Sequence, residues 1–260
     1  MKERSSNIWH GIDAFRNEFR SRSDWSTEYD DDPLSMIFVV RDRSTDDDGN
    51  VVVPNESDAI DSAIAAMIGV LSYYDANEET NRRINEWIGS RIRKIVKRAH
   101  GSKWTKVLDY ALGNAETPHV PACYSSARGA GVIAFAPMRV SEQPRCVKSL
   151  QVSGLELRNP DDADETTPTR TYAGCDALDV TLDESLGMST GKAIAQACHV
   201  VQIAFKSLDD DKYDDWRDNG FCCKVDRGVI DDASEYDVCV HDAGFTEVPS
   251  GSLTAIGKLR

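Results

Sequence analysis

The sequence lacks the patterns that define several common classes of protein. It has no CxxC pair, and its seven cysteines are odd in number with Cys222 and Cys223 adjacent, which fits neither a disulfide framework nor zinc-ligand spacing. The longest apolar run, 63–71, is far shorter than the ~20 residues of a membrane span. The first residues, MKERSSNIWHGIDAF, lack the uninterrupted apolar segment of a signal peptide, so we predict none. We therefore expect a cytoplasmic protein with reduced thiols and no membrane partner.

Acidic residues dominate the chain, yet one stretch is strongly basic. The net charge of −14 argues against nucleic-acid binding over the whole surface. Residues 82–106 nevertheless carry nine lysines or arginines and a single acid, Glu86, which gives a local net charge of +8. This stretch is a candidate contact for a polyanion.

Composition and periodicity divide the chain into segments. The predicted segments are an N-terminal extension (1–32), an N-terminal α/β domain (33–156), an acidic linker (157–172) and a C-terminal α/β domain (173–260). Strands are predicted at 34–40, 132–136, 177–182, 221–225, 238–240 and 253–256. Helices are predicted at 60–74, with Ser57 as the N-cap, and at 79–99, 190–205 and 214–219. In the N-terminal extension, the spacing of Ile8, Ile12, Phe15 and Phe19 predicts a short amphipathic helix with these side chains on its apolar face. The 79–99 helix would present the basic residues.

The stretch MSTGKAIAQACH, residues 188–199, looks like a phosphate loop but does not fit one. The spacing from Gly187 to Gly191 is one residue short, and Ala193 stands where a magnesium-binding hydroxyl is needed. Instead, the spacing predicts a helix on which Lys192, Gln196 and His199 share one face. Taken alone, that face would be better explained as the polar side of an ordinary amphipathic helix.

A second stretch, VHDAGFTEVPSGSLTAIG at 240–257, completes the pattern. A strand ends on His241-Asp242, and a glycine turn, Thr246 and a Pro-Ser-Gly turn lead into the last strand. Together the two stretches resemble the type 2 peptidyl-tRNA hydrolases, which carry M-x-x-GK-x-AAQ-x-x-H and V-R-DAG-x-T-x-x-x-PG-x-x-T in this order. The resemblance covers about 176–260. The stretches RIRKIVKRAHGSKW (91–104) and SLQVSG (149–154) are similar to longer, two-domain members of actinobacterial type.

The resemblance implies a fold, an activity and a set of site residues. The fold is a four-stranded mixed sheet flanked by helices, preceded here by a second α/β domain that would suit a diverged copy. The activity is hydrolysis of the ester between a peptide and the tRNA 3′ end, by metal-free attack of water and without an organic cofactor. The matching catalytic positions are Lys192, Gln196, His199, Asp242 and Thr246.

Three positions depart from the family pattern. His241 replaces a usual arginine, Val200 replaces a usual alanine, and only about a dozen residues join the strand ending at Val225 to that starting at Val238. A parallel crossover usually needs a dozen or more residues with a helix, so we expect the third helix to be short or absent.

Each catalytic assignment has a plainer alternative. Lys192 would stabilise the oxyanion or a phosphate, or would be a surface lysine. Asp242 would orient Lys192 or the water, or would cap a turn. Thr246 would bind the substrate carbonyl or ribose, or would be a strand-edge hydroxyl. Gln196 would position substrate, and His199 would be either a general base or a satisfied buried histidine.

The basic stretch supplies the predicted RNA contact. Its candidate RNA-binding residues are Arg91, Arg93, Lys94, Lys97, Arg98, Lys103 and Lys106, flanked by Trp87 and Trp104. Lysine and arginine would bind phosphates and the aromatics would stack on bases, whereas a solvated helix face normally carries both signs of charge. The alternative to a hydrolase is a non-catalytic module that binds RNA or protein on the same fold. The sequence leaves the oligomeric state open, with a homodimer as one option.

Overall fold

The computed structural model describes residues 9–23, 30–113, 121–127, 129–159 and 177–260. The helices are α1 His10–Ser21, α2 Glu56–Leu71, α3 Glu78–Ile88, α4 Gly101–Ala111, α5 Arg145–Lys148, α6 Thr190–Ser207 and α7 Asp210–Asp218. The strands are β1 Ser35–Arg41, β2 Ser44–Thr45, β3 Val51–Val52, β4 Lys94–Ala99, β5 Ala122–Ala127, β6 Ala130–Met138, β7 Leu178–Asp183, β8 Cys223–Gly228, β9 Val238–His241 and β10 Leu253–Leu259. We call 9–159 the N-terminal half and 177–260 the C-terminal half.

The N-terminal half is built on a four-stranded sheet in the order β4-β1-β6-β5. Strand β1 pairs parallel with β4 and antiparallel with β6, and β5 pairs antiparallel with β6. Every residue of β6 is buried, as are six of the seven residues of β1. Because both faces of these strands are covered, their sequences are continuous apolar runs rather than alternating ones.

The C-terminal half contains the predicted four-stranded mixed sheet, in the order β8-β7-β10-β9. Strand β7 pairs parallel with β8, and β10 runs antiparallel to both β7 and β9. Helices α6 and α7 connect β7 to β8. Residues 229–237, which connect β8 to β9, contain no helix, in agreement with the prediction from the short spacing.

The two sheets have the same topology. Strand β1 lies between its parallel neighbour β4 and its antiparallel neighbour β6, and β5 pairs with β6 at the far edge. In the same way, β7 lies between its parallel neighbour β8 and its antiparallel neighbour β10, and β9 pairs with β10 at the far edge. Local details repeat as well. The indole Nε1 of Trp87 donates to the carbonyl of Arg93, and that of Trp216 donates to the carbonyl of Cys222, each just before an edge strand. These repeats support the interpretation of the N-terminal half as a diverged copy.

A strained backbone residue repeats at the same place. Ile92 lies five residues after Trp87, and Phe221 lies five residues after Trp216. Both have positive φ, 42° and 55° respectively. Bulky side chains rarely adopt this conformation. Its occurrence in the same turn of both halves is difficult to explain by chance and agrees with an internal repeat.

One hydrophobic core extends across both halves. Helices α2 and α6 pack against each other, and α1 contacts both of them. The α1 side chains Ile12, Phe15 and Phe19 are buried, as their helical spacing predicted. Arg16 is also buried and donates to the carbonyls of Phe205, Leu208 and Asp209 at the end of α6. The predicted segment boundaries stay predictions, and most of the predicted linker lies outside the described residues.

The predicted helix over 79–99 is wrong beyond its first half. Helix α3 ends at Ile88, with Gly89 as its C-cap, and residues 94–99 form strand β4 instead. Pairing with β1 stabilises an extended backbone for the β-branched Ile95 and Val96. The basic residues therefore lie on a turn, an edge strand and α4 rather than on one helix. Helix α4 was not predicted.

Candidate active site

The first turn of α6 carries Lys192 in a fixed position. Ser189 is the N-cap, and its hydroxyl accepts a hydrogen bond from the Lys192 backbone N–H at 3.3 Å. Glu247 holds this cap from the β9–β10 loop, because its carboxylate accepts from the Ser189 backbone N–H at 3.0 Å and from the hydroxyl at 2.8 Å. The helix start is thus tied to the loop that carries the second sequence motif.

Asp242 follows β9 and accepts hydrogen bonds from three directions. Its Oδ2 accepts from Lys192 Nζ at 2.5 Å and from Gln196 Nε2 at 2.8 Å, and its Oδ1 accepts from the Gly244 N–H at 2.8 Å. The Lys192 and Asp242 side chains are only 9% and 10% exposed. Partial burial strengthens an ion pair that already has these extra donors.

Gln196 and Thr246 complete the cluster. Gln196 is buried, and its Oε1 accepts from the buried Thr254 hydroxyl at 3.0 Å, which fixes the amide orientation so that Nε2 faces Asp242. The Thr246 hydroxyl lies 3.4 Å from Lys192 Nζ. The structure therefore brings together four of the five residues predicted as catalytic.

The glycine of the DAG turn is required by close backbone approach. Gly244 has φ of 76°, and a Cβ there would lie 2.6 Å from the Ser250 backbone nitrogen. Any side chain would push the loop away from Ser250 and disturb the N–H that binds Asp242. The motif glycine thus has a structural reason in this chain.

His199 belongs to a separate polar cluster. Its Nδ1 accepts from Lys94 Nζ at 3.1 Å, and Lys94 also donates to Gln202 Oε1 at 2.5 Å. Lys94 comes from β4, so this contact joins the two halves. With Nδ1 as an acceptor, the ring proton is on Nε2. No hydrogen bond joins His199 to Asp242 among the contacts of the described residues.

Burial sets the protonation of this second cluster. It lowers the pKa of Lys94 to about 7. It also holds the pKa of His199 well below its ordinary value, with the charges of Lys94 and Lys192 acting in the same direction. Burial raises the pKa of the neighbouring Cys198 thiol to about 12. At neutral pH His199 is therefore neutral and Cys198 is protonated, so this thiol is a poor nucleophile.

A cleft of about 540 Å³ opens over both clusters. The C-terminal half contributes Lys192, Gln196, His199 and Asp242 to its lining. The N-terminal half contributes the opposite wall, with an apolar surface from Ile92, Ile95, Val96, Val140 and Val152. The candidate site is therefore a cleft between the halves rather than a property of the C-terminal half alone.

The predicted RNA-binding residues do not form one patch. Arg91 and Arg93 lie at the cleft rim, and Lys94 lies within it. Lys97 is buried on the other side of the sheet, where its Nζ donates to Gln143 Oε1 and to the Val147 carbonyl. It is therefore not available to an external phosphate.

The remaining basic residues lie elsewhere. Arg98 pairs with the buried Asp42 at 3.2 Å and donates to the Ser153 carbonyl. Lys103 and Lys106 are exposed on α4. The alternation of side chains along β4 explains this scatter, because neighbouring residues of a strand point to opposite faces.

Phe245 is a rim residue that the sequence analysis missed. Its side chain is 54% exposed, and the guanidinium carbons of Arg91 and Arg93 lie 5.1 and 4.9 Å from its ring centroid. The sequence does show an aromatic residue in the loop between the motif residues Asp242 and Thr246, and this position could have indicated a substrate contact.

In the described part of the chain, no group of three or more His, Cys, Asp or Glu side chains is arranged to hold a metal ion. Among the described helices, none is long and apolar enough to cross a membrane.

Comparison with known proteins gives a family. The chain is 33% identical to the peptidyl-tRNA hydrolase of Methanothermobacter thermautotrophicus over 84 residues, which takes in 28% of this chain and 74% of the relative. No family profile matches the chain, and no solved structure matches it. The coverage of the relative is sufficient to establish that the chain belongs to the peptidyl-tRNA hydrolase family.

Proposed function

We propose that the protein is a peptidyl-tRNA hydrolase of type 2, in a two-domain form, acting on peptidyl-tRNA in the cytoplasm. The observation that carries the proposal is the cluster in which Asp242 Oδ2 accepts from both Lys192 Nζ and Gln196 Nε2. These residues come from two separated sequence motifs and converge in a cleft. Family membership supports the same reaction class.

In the proposed reaction, water attacks the carbonyl carbon of the ester that joins the peptide to the terminal ribose. A tetrahedral oxyanion forms and collapses, the ribose oxygen leaves and takes a proton, and a free carboxylic acid and tRNA result. Lys192 stabilises the oxyanion from the N-terminal turn of α6, where the helix dipole adds to its charge. The Thr246 hydroxyl, beside Nζ, donates to the same oxygen.

Asp242 acts mainly by orientation. With Lys192 and Gln196 both donating to Oδ2, this oxygen is occupied, whereas Oδ1 accepts from Gly244 and retains a second lone pair. We assign that lone pair to the attacking water. His199 has its Nδ1 engaged by Lys94, so we assign it to positioning rather than to general-base catalysis.

The test is release of N-acetyl-aminoacyl groups from tRNA in the presence of EDTA. Wild type should turn over, and Lys192→Ala or Asp242→Ala should abolish turnover. Lys212→Ala is the matched control. Lys212 Nζ lies 2.8 Å from Asp237 Oδ1, a distance similar to that of the Lys192–Asp242 pair, and neither residue lines the cleft. Loss of turnover in EDTA would contradict the metal-free mechanism.

A different result would support the second candidate. If wild type bound tRNA in a salt-sensitive way but released no acyl group, the protein would be a binding module rather than a hydrolase. The Arg91–Phe245–Arg93 arrangement at the rim is the observation that favours this alternative, since it needs no catalysis to bind RNA.

A further inference from the structure

The rim of the cleft carries an aromatic face bordered by two cations. The guanidinium groups of Arg91 and Arg93 lie over the Phe245 ring, and the side chain is still 54% exposed, so part of the ring surface is left for a ligand. The phenylalanine belongs to the β9–β10 loop of the C-terminal half, whereas the arginines belong to the turn before β4 of the N-terminal half. The arrangement therefore depends on both halves.

The loop that carries Phe245 is held on both sides. Before it, the Gly244 N–H donates to Asp242, and after it, Glu247 binds Ser189 while Val248 is buried. A phenylalanine on such an anchored loop presents its ring in a defined place without losing much conformational entropy when a ligand binds. Flexible surface aromatics do not have this advantage.

The chemistry of the cluster selects a nucleotide. A planar base can stack on the ring, and a phosphate can bind the guanidinium groups, which form paired hydrogen bonds with phosphate oxygens. A peptide side chain could stack but would leave two positive charges without a partner. A nucleotide satisfies both features, and the end of a single-stranded RNA presents one in an accessible form.

The position of the cluster relative to the catalytic residues narrows the ligand further. Phe245 is adjacent in sequence to Thr246, so their Cα atoms are about 3.8 Å apart. The ester to be cleaved is on the terminal ribose, whose base is the nearest base to the reacting carbonyl. A platform next to Thr246 is at the right place for that base.

We propose that Phe245, Arg91 and Arg93 form the binding site for the 3′-terminal nucleotide of tRNA, with the terminal adenine stacked on Phe245 and the adjoining phosphate bound by the two arginines. This inference rests on the proposed function for the identity of its ligand. It names residues from both halves as substrate contacts, and one of them, Phe245, lies outside the predicted catalytic and RNA-binding sets.

The experiment measures binding of two acceptor-stem RNA minihelices without an acyl group, one ending in CCA and one ending in CC with a 3′-phosphate. The second lacks the terminal adenosine but keeps the phosphate that the two arginines would bind. Wild type should bind the complete end about 10-fold more tightly, in line with the loss of one stacked base. Phe245→Leu, which keeps an apolar side chain but removes the aromatic face, should bind both RNAs equally. Phe245→Trp should keep the preference.

Controls separate stacking from folding and from general charge. Tyr124→Leu removes another exposed aromatic, on β5, and should keep wild-type binding. Arg93→Glu should weaken binding of both RNAs. Thermal unfolding of each variant checks that the fold is kept, and Phe245→Trp provides a second reading if the leucine variant unfolds. Equal binding of both RNAs by wild type, or a preference that persists in Phe245→Leu, would overturn the inference.

The outcome is independent of hydrolysis, because these RNAs carry no acyl group. A wild-type protein that prefers the complete end but releases no acyl group would retain the nucleotide site and lose the proposed function. Turnover without any preference for the terminal adenosine would retain the function and remove the site. In an active enzyme, Phe245→Leu should raise KM by about 10-fold with little change in kcat.

Discussion

The Lys192–Asp242 pair should couple stability and activity, and Asp242→Asn is the most informative single change. The substitution keeps the shape of the side chain but removes its charge and one acceptor. Three donors surround the carboxylate, from Lys192, Gln196 and Gly244. An amide in this position turns its NH₂ toward at least one of them, so a donor loses its partner in a partly buried site.

The size of the effect follows from burial. Breaking a fully buried ion pair by removing one partner costs about 3–5 kcal/mol. The Lys192 and Asp242 side chains are about one-tenth exposed, so we expect a loss of about 2–4 kcal/mol in the free energy of unfolding. For a chain of this length the melting temperature should fall by about 5–10 °C.

A double-mutant cycle separates the pair from its surroundings. Lys192→Met alone should also destabilise the protein, whereas the double variant Lys192→Met/Asp242→Asn should cost about 1–3 kcal/mol less than the sum of the single changes. Hydrolysis of N-acetyl-aminoacyl-tRNA should stay at least about 100-fold below wild type in all three variants, since the oxyanion donor or its orienting group is missing.

Chemical denaturation gives the stabilities, and acyl release gives the activities. The pair of Lys212 and Asp237 is the matched control, because it has a similar distance but much greater exposure of the lysine, 47%. Its coupling should be small. Additive losses for Lys192 and Asp242 would show that the buried contact does not stabilise the fold. Activity restored in the double variant would contradict the catalytic role of Lys192.

Three further predictions concern the second cluster, the basic residues and α1. Between about pH 7 and the ordinary lysine pKa, Lys94 is protonated in the unfolded chain but not in the native protein. The free energy of unfolding should therefore rise with pH by about 1 kcal/mol per unit over this range. Lys94→Met should flatten the rise in a pH series of denaturation curves. Lys97→Glu should lower the melting temperature, because it buries a carboxylate. Arg93→Glu should weaken tRNA binding and reduce the slope of log affinity against log salt concentration by about 1. Lys103→Glu should change neither the melting temperature nor the tRNA affinity. Arg16→Met should cost about 2–3 kcal/mol in denaturation, since three carbonyls at the end of α6 lose a charged donor; an unchanged midpoint would show that solvent replaces it.

The resemblance of the two motifs to the type 2 peptidyl-tRNA hydrolases predicted the C-terminal sheet, and local spacing placed the motif residues within it. Helical periodicity puts Lys192 and Gln196 on one face, and the order of strand, glycine turn and strand puts Asp242 and Thr246 at one sheet end. The structure confirms the fold class. The catalytic roles of these residues stay predictions.

Contacts between distant parts of the chain could not be predicted from spacing. Lys94 and His199 are 105 residues apart and meet only because β4 packs against α6. The assignment of Lys94 to a helix failed for the same reason, since pairing with β1 decides the conformation of that segment. A count of charges also cannot distinguish the buried amine of Lys97 from an exposed one.

The shared topology of the two halves has a consequence for how the site can evolve, if the halves derive from one ancestral copy. Counted from the N-caps Asn55 and Ser189, helix α2 has Asp58 and Ser62 where α6 has Lys192 and Gln196. The first position of α2 is Glu56, which pairs with Arg227 of β8 at 2.8 Å.

In a symmetric dimer of identical chains, every mutation appears in both subunits, so a residue that improves the wall of one cleft also alters the catalytic machinery of the other. Joining two copies in one chain removes that constraint. In this chain the C-terminal half carries the proposed reacting groups and the N-terminal half forms the facing wall of the cleft, whereas the equivalent helix start of the N-terminal half carries the Glu56–Arg227 ion pair. Residues that set the specificity and residues that perform the chemistry can then be substituted independently of one another.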